Sequence, residues 1–152
     1  MLRTISTLWL TVLLSVGIFL SIGVSVQRYQ KNRRAYYEQR RLVGIREVVA
    51  RAEPLIAAIR AYEKEHHKPP ASLEALGIAL PPLGPIARRG WEYSLEETSS
   101  WTLAISVDTE YTPNNGILSF GDTFAYHSNG RYPHDAYGGT LERFGAWGYY
   151  WE

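Results

Sequence analysis

The sequence has no cysteine. Disulfides, thiol catalysis and cysteine-based metal sites are therefore excluded, while the compartment stays open, because an oxidising space also holds cysteine-free chains. An excess of charge is missing too. Sixteen Lys and Arg against fifteen Asp and Glu leave +1 over 152 residues, so no global field points to nucleic acid. No G-x-S-x-G, P-loop or H-E-x-x-H stretch occurs, and no enzyme is expected. Charge is wholly absent from Ile5 to Val26, ISTLWLTVLLSVGIFLSIGVSV.

That uncharged run is long enough, at 1.5 Å per residue, for a hydrocarbon core of about 30 Å. A cleavable signal peptide is the rival reading. Its apolar region is normally only about 7–15 residues, and no A-x-A-like site follows; Gly23-Val24-Ser25 is a poor substitute. Residues 1–27 are therefore expected to form a retained transmembrane anchor, with Trp9 and Tyr29 as interfacial aromatics.

Residues 28–41 form a basic juxtamembrane segment. Arg28, Lys31, Arg33, Arg34, Arg40 and Arg41 face one acidic residue, Glu38. They are candidate contacts to anionic headgroups of a lipid bilayer, and equally the solvated face of a stop-transfer flank. By the positive-inside rule they place the following domain in the cytoplasm.

Residues 42–152 read as one globular domain. Leu42, Ile45, Val48, Val49, Ala52, Leu55, Ile56, Ile59 and Tyr62 recur in steps of three and four, which predicts an amphipathic helix. Pro54 predicts a kink near Arg51–Glu53 or a new first turn there. Pro69 and Pro70 end the helix by Lys68. Ser72 then caps a short turn, Leu73–Leu76, closed by Gly77 in a left-handed conformation. The stretch Ile78–Gly90 is rich in Pro and Gly and predicts an irregular connection, with Arg88 and Arg89 in solvent.

From Trp91 the apolar period becomes two. Trp91–Leu95 and Trp101–Val107 predict strands joined by a hairpin loop at Glu96–Ser100. Ile117–Phe120, and Thr123–His127 with Arg131–Tyr132 flanking the Asn129-Gly130 turn, predict further pairing. Trp147–Trp151 predicts a final edge strand. The expected fold is α+β: a long N-terminal helix, anchor continuing into amphipathic helix, packed on an antiparallel sheet of about four or five strands.

The helix exit, AIRAYEKEHHKPPASLEALG, carries Ala58, Ile59, Tyr62, Pro70, Ser72, Leu73 and Leu76 in an A-I-x-x-Y…P-x-S-L-x-x-L pattern. With the hydrophobic N-terminus and the following meander, it resembles the type IV pilin and type II secretion pseudopilin superfamily. The resemblance implies a pilin-like fold anchored in the bacterial inner membrane and facing the periplasm. It implies a structural or assembly role among other membrane or envelope protein subunits, without enzymatic activity or cofactor. The family's prepilin-peptidase site, a Gly with Glu at the fifth position after the cut, is lacking. Gly17 is followed there by Ile22 and Gly23 by Arg28. A pilin-like domain on an uncleaved single-pass anchor is the expectation, with the periplasmic side preferred over the side that the basic segment favours.

The four histidines are His66, His67, His127 and His134. His66 and His67 point about 100° apart on a helix and complement the negative end of its dipole rather than share a metal. His127, His134 and Asp135 flank one turn but show no ligand-spacing motif. Asp122, Asn129 and Asp135 form no calcium-loop ladder. The alternative function is a ligand- or ion-binding envelope domain using the 127–137 loops. Glu96 and Glu97 are consecutive and do not suggest an acid–base pair. In the aromatic tail, Trp147 and Tyr149 are expected in the core, and Tyr150 and Trp151 on the surface as candidate partner contacts.

Overall fold

The computed structural model describes residues 2–96, 99–112, 121–134 and 140–151, with residues 2–20 described as helix backbone only. Among the described residues a single α-helix, α1 (Leu2–His66), precedes five strands: β1 (Glu92–Leu95), β2 (Trp101–Ser106), β3 (Thr123–His127), β4 (Thr140–Phe144) and β5 (Trp147–Trp151). The strands form one antiparallel sheet in the order β1-β2-β3-β5-β4. The fold is α+β, a long helix packed on a five-stranded antiparallel sheet. Contacts divide the chain into two units, Met1–Tyr36 and Tyr37–Glu152.

The stripe read from the 3.6-residue period is the one the second unit buries. Ile45, Val48, Ala52, Leu55 and Ile59 pack with Trp101, Leu103, Ile105, Phe124, Tyr126, Trp147 and Tyr149 in one core. Alternation explains the sheet's share of it. The pairs Leu103↔Tyr126 and Ile105↔Phe124 put one set of side chains on the helix face, and Phe124↔Tyr149 extends that face to β5. No second helix begins at Pro54; α1 runs through it, because buried side chains on both sides, Ala52 and Leu55, hold the turn that lacks one N–H bond.

Beyond the helix, Leu73–Leu76 forms a single 3₁₀ turn, and Gly77 has φ 63° with its N–H donating to the Glu74 carbonyl. The connection that follows is irregular but clipped to the sheet at one point. Ala87 bridges Val107, and Ile86 is fully buried against Gly44 of α1. A Cβ on Gly44 would lie 2.9 Å from the Ile86 Cβ, so the helix and the connection approach as closely as glycine permits.

Two expectations about the sheet are corrected. Trp147–Trp151 is not an edge strand: β5 lies between β3 and β4, and its residues are buried on both faces, as an internal strand requires. The edge is β4, whose mixed TLERF sequence has too little apolar alternation to be recognised as a strand. Arg131–Tyr132 does not pair across the Asn129-Gly130 turn, because β2 and β5 already occupy both edges of β3. Tyr132 instead lies over Gly148 and donates its hydroxyl to the Ala146 carbonyl. The expected strand Ile117–Phe120 lies outside the described residues.

The second face of the sheet is also partly covered, which simple alternation did not predict. Ala104, Ala125 and Tyr150 form a smaller buried cluster there, with Tyr132 and Leu141 against it. Among the described residues no helix is long and apolar enough to cross a membrane. The side chains from Ile5 to Leu20, most of the expected span, lie outside the described residues.

Candidate functional site

Two constellations stand out, one where the basic segment enters the sheet unit and one at the C-terminal end of the helix. In the Met1–Tyr36 unit, Arg28, Lys31, Arg33 and Arg34 are exposed on α1. Ile22, Val24, Val26, Tyr29 and Tyr36 of the same unit each leave about half or more of their surface exposed.

Arg40 and Arg41 behave differently. The Arg40 guanidinium lies 4.6 Å from the centre of the Tyr111 ring. Arg41, expected among the surface cations, is buried at 3% exposure. Its guanidinium sits 3.9 Å from the Trp151 ring centre and 4.8 Å from that of Tyr149, and its Nη1 donates to Glu142 Oε2 at 3.3 Å. Trp151 Nε1 donates to the same carboxylate oxygen at 3.0 Å. The physical reason is the guanidinium itself, a weakly hydrated plane that stacks on aromatic faces while its edge meets a carboxylate.

Trp151 is thus half-buried under Arg41 rather than displayed as a surface contact. Tyr150 is corrected outright: it is fully buried on the opposite face of the sheet. Both follow from β5 being internal, a fact that sequence periodicity could not supply because WGYYW is apolar at nearly every position.

The second constellation is organised by Glu96, which immediately follows β1. Thr102 Oγ1 donates to Glu96 Oε1 at 2.7 Å, and Ser100 Oγ to Oε2 at 2.8 Å. Asn129 Nδ2 reaches Oε2 at 3.1 Å. His127 Nδ1 lies 3.1 Å from Glu96 Oε1 and 2.9 Å from Thr102 Oγ1. Since the Thr102 hydrogen is given to Glu96, Nδ1 is the donating nitrogen of this buried ring. Its Nε2 is buried without a hydrogen-bond partner among the described residues. The Thr102 hydroxyl, with Ser100 and His127 behind it, holds the Glu96 carboxyl below the usual range against the opposing effect of burial.

Above this cluster opens a cleft of about 520 Å³. Arg60 and Glu63 of α1 form one wall, Ser99 and Ser100 of the β1–β2 loop another, and Asn129 and Arg131 of the turn after β3 the third. Glu63 Oε1 accepts from Trp101 Nε1 at 3.0 Å, and Arg60 Nη2 donates to the Tyr126 hydroxyl at 2.5 Å. Both wall residues of the helix are therefore fixed by the core beneath them.

The residues considered for metal are not brought together. His127 points into the Glu96 cluster, His134 is exposed, and Asp135 lies outside the described residues. Asp122, considered for calcium, accepts from the buried Tyr149 hydroxyl at 2.7 Å before β3 begins, whereas Asn129 lies beyond the far end of that strand. Among the described residues no group of three or more His, Asp or Glu could hold a metal ion. His66 does sit at the helix end, with Nδ1 3.0 Å from the Tyr62 carbonyl.

Sequence reasoning missed Glu96, Arg60 and Glu63. The signal present was register: a carboxylate closing a hairpin lies on the same sheet face as the Thr two residues beyond the loop. No family model, curated protein or solved structure matches the chain.

Proposed function

We propose that this chain is a non-enzymatic, single-pass subunit of a bacterial inner-membrane or envelope assembly. On this reading residues 1–27 are the anchor, the exposed basic residues of 28–34 lie at the headgroups, and a pilin-like domain is presented in the periplasm. The observation that carries the reading is a change of surroundings along one element. Helix α1 buries Ile45 to Ile59 under the sheet but leaves Ile22, Val24 and Val26 about half exposed at the end of a stretch without charge. Exposed valine and isoleucine cost free energy in water and none in hydrocarbon. The periplasmic side rests on the pilin resemblance of the helix exit and stands against the six basic residues that the positive-inside rule counts.

The test is fractionation with a topology reporter. The full chain is expected in membranes and resistant to alkaline carbonate, and a chain lacking residues 1–27 in the soluble fraction. Alkaline phosphatase fused after Glu152 is expected to be active. A full chain released by carbonate overturns the anchor, and an inactive phosphatase beside a fluorescent cytoplasmic reporter overturns the periplasmic placement.

A further inference from the structure

The cleft over Glu96 has a specific imbalance of hydrogen-bonding groups. Its acceptors are largely consumed from within. Glu63 gives one oxygen to Trp101 Nε1, and Ser128 Oγ accepts from the Trp101 backbone N–H at 2.8 Å. Asn129 Oδ1 accepts from the Arg131 backbone N–H at 2.8 Å, and its amide donates to Glu96 and to Ser100. Three donors on the walls are not consumed. Ser128, having accepted, keeps its hydrogen; Arg60 keeps the N–H groups not turned to Tyr126; and the Arg131 guanidinium has no partner among the described residues.

Charge narrows the occupant further. Arg60 and Arg131 face one carboxylate on the wall, Glu63, which leaves one net positive charge. The Glu96 carboxylate lies below the cleft, and Thr102, Ser100, Asn129 and His127 occupy its oxygens, so it is not a ligand contact. Guanidinium groups on two walls can hold one planar carboxylate between them. The remaining lining is hydroxyl, amide and carboxylate, which suits a ligand with hydroxyls and not an apolar one. The volume lies within the range of small-molecule sites. Ser99, on the rim, holds a left-handed φ of 63°, a conformation that costs a non-glycine residue of order 1 kcal/mol and is concentrated at functional loops.

We propose that this cleft binds a small hydroxylated carboxylate of the sugar-acid class. Its carboxylate is taken by Arg60 and Arg131, and its hydroxyls by Ser128 and the free oxygen of Glu63. Glu96 is a positioning residue: it touches no ligand but ties the β1–β2 loop to the turn after β3, so that two walls of the cleft keep their spacing. This assignment is independent of membrane anchoring and stands or falls by itself.

The probe is glucuronate, with glucose and acetate as controls at matched ionic strength, titrated into the full chain in mild detergent and followed by calorimetry and thermal melting. Saturable heat and a melting temperature that climbs with glucuronate are expected, because a ligand bound only by the native state stabilises it by mass action. Glucose and acetate, each lacking half of the recognised chemistry, are expected to give neither. Arg131→Gln is expected to weaken glucuronate binding by roughly 10- to 100-fold, the loss of a charge-assisted pair. Its side chain is exposed, so the unliganded melt should stay put. No saturable heat at tens of millimolar glucuronate, an equal response to acetate or glucose, or full binding by Arg131→Gln would each overturn the proposal.

Discussion

The guanidinium of Arg41 lies 3.9 Å from the centre of the Trp151 ring, joining the helix to the last described residue of β5. Tyr149 and Phe144 close around the same cation, at 4.8 and 5.7 Å, and Glu142 takes its edge. The two ends of the Tyr37–Glu152 unit are thus held by one side chain, at the point where a basic helical segment becomes a core helix.

Arg41→Ala should therefore cost about 2–3 kcal/mol, combining a desolvated cation–π contact with lost packing of the stem. Glu142, about half exposed, regains water when its partner leaves, which keeps the loss below that of a fully buried pair. Arg41→Lys should recover little of it, since an ammonium has no plane to stack. Urea unfolding followed by tryptophan fluorescence measures both; an Arg41→Ala loss under about 1 kcal/mol would show the cage to be incidental.

Gly44→Ala tests the closest approach of helix and connection. Alanine is the better helix former by about 1 kcal/mol, so propensity alone predicts stabilisation. The new Cβ would instead meet Ile86 at 2.7 Å from its Cδ1 and 2.9 Å from its Cβ, and the latter cannot rotate away. The expected net outcome is destabilisation by about 1–3 kcal/mol, the usual cost of overpacking. A variant at least as stable as the parent in the same urea experiment would mean that the contact relaxes freely.

Alkaline pH addresses two tyrosines, the half-buried Tyr93 and the fully buried Tyr149. Burial, and then the charge of Glu63, push the Tyr93 phenol up to about 12. Burial first, and then Asp122, push Tyr149 up further. A folded-state pKa raised above its unfolded value contributes stability that is complete below about 10 and is lost as pH rises towards the folded value. Stability should therefore fall between about pH 10 and 12, and tyrosinate absorbance of the native chain should show these two rings lagging the exposed ones. Tyr93→Phe should make the alkaline loss shallower. Native-state titration of all the tyrosines at one ordinary value would refute the burial argument.

How far the sequence reaches is clear from the elements themselves. The helix stripe from Ile45 to Ile59, the Gly77 stop and strands β1 to β3 are legible because each sets one polar face against one apolar face, and period reports that difference directly. Strand β5 defeats the same rule, since Tyr149 and Tyr150 are both buried on opposite faces. Arg41 defeats it differently. Nothing local distinguishes it from Arg40 or Arg34, and its burial depends on aromatics about a hundred positions away. The cleft is likewise assembled from α1, a hairpin loop and a turn, whose proximity only the sheet order creates.

Glu96→Gln separates the structural share of the cleft from its charge. The carboxyl is held below its usual range by the Thr102 hydroxyl first, with Ser100 and His127 adding to it. A depressed folded-state pKa contributes stability that is present above the ordinary carboxylate value and is lost as pH falls through the lower folded value. The parent should therefore lose stability below about pH 4.5 more steeply than Glu96→Gln, which has no proton to gain there. The side chain is about a third exposed, so the difference should be about 1 kcal/mol or less. At neutral pH the amide cannot accept from Thr102, Ser100, Asn129 and His127 together, and the two loops should loosen. Faster hydrogen exchange at Ser100 and Ser128, with no change at Leu55 in the core, is the expected signature. Acid limbs that superimpose would mean that Glu96 decorates the loops without holding them.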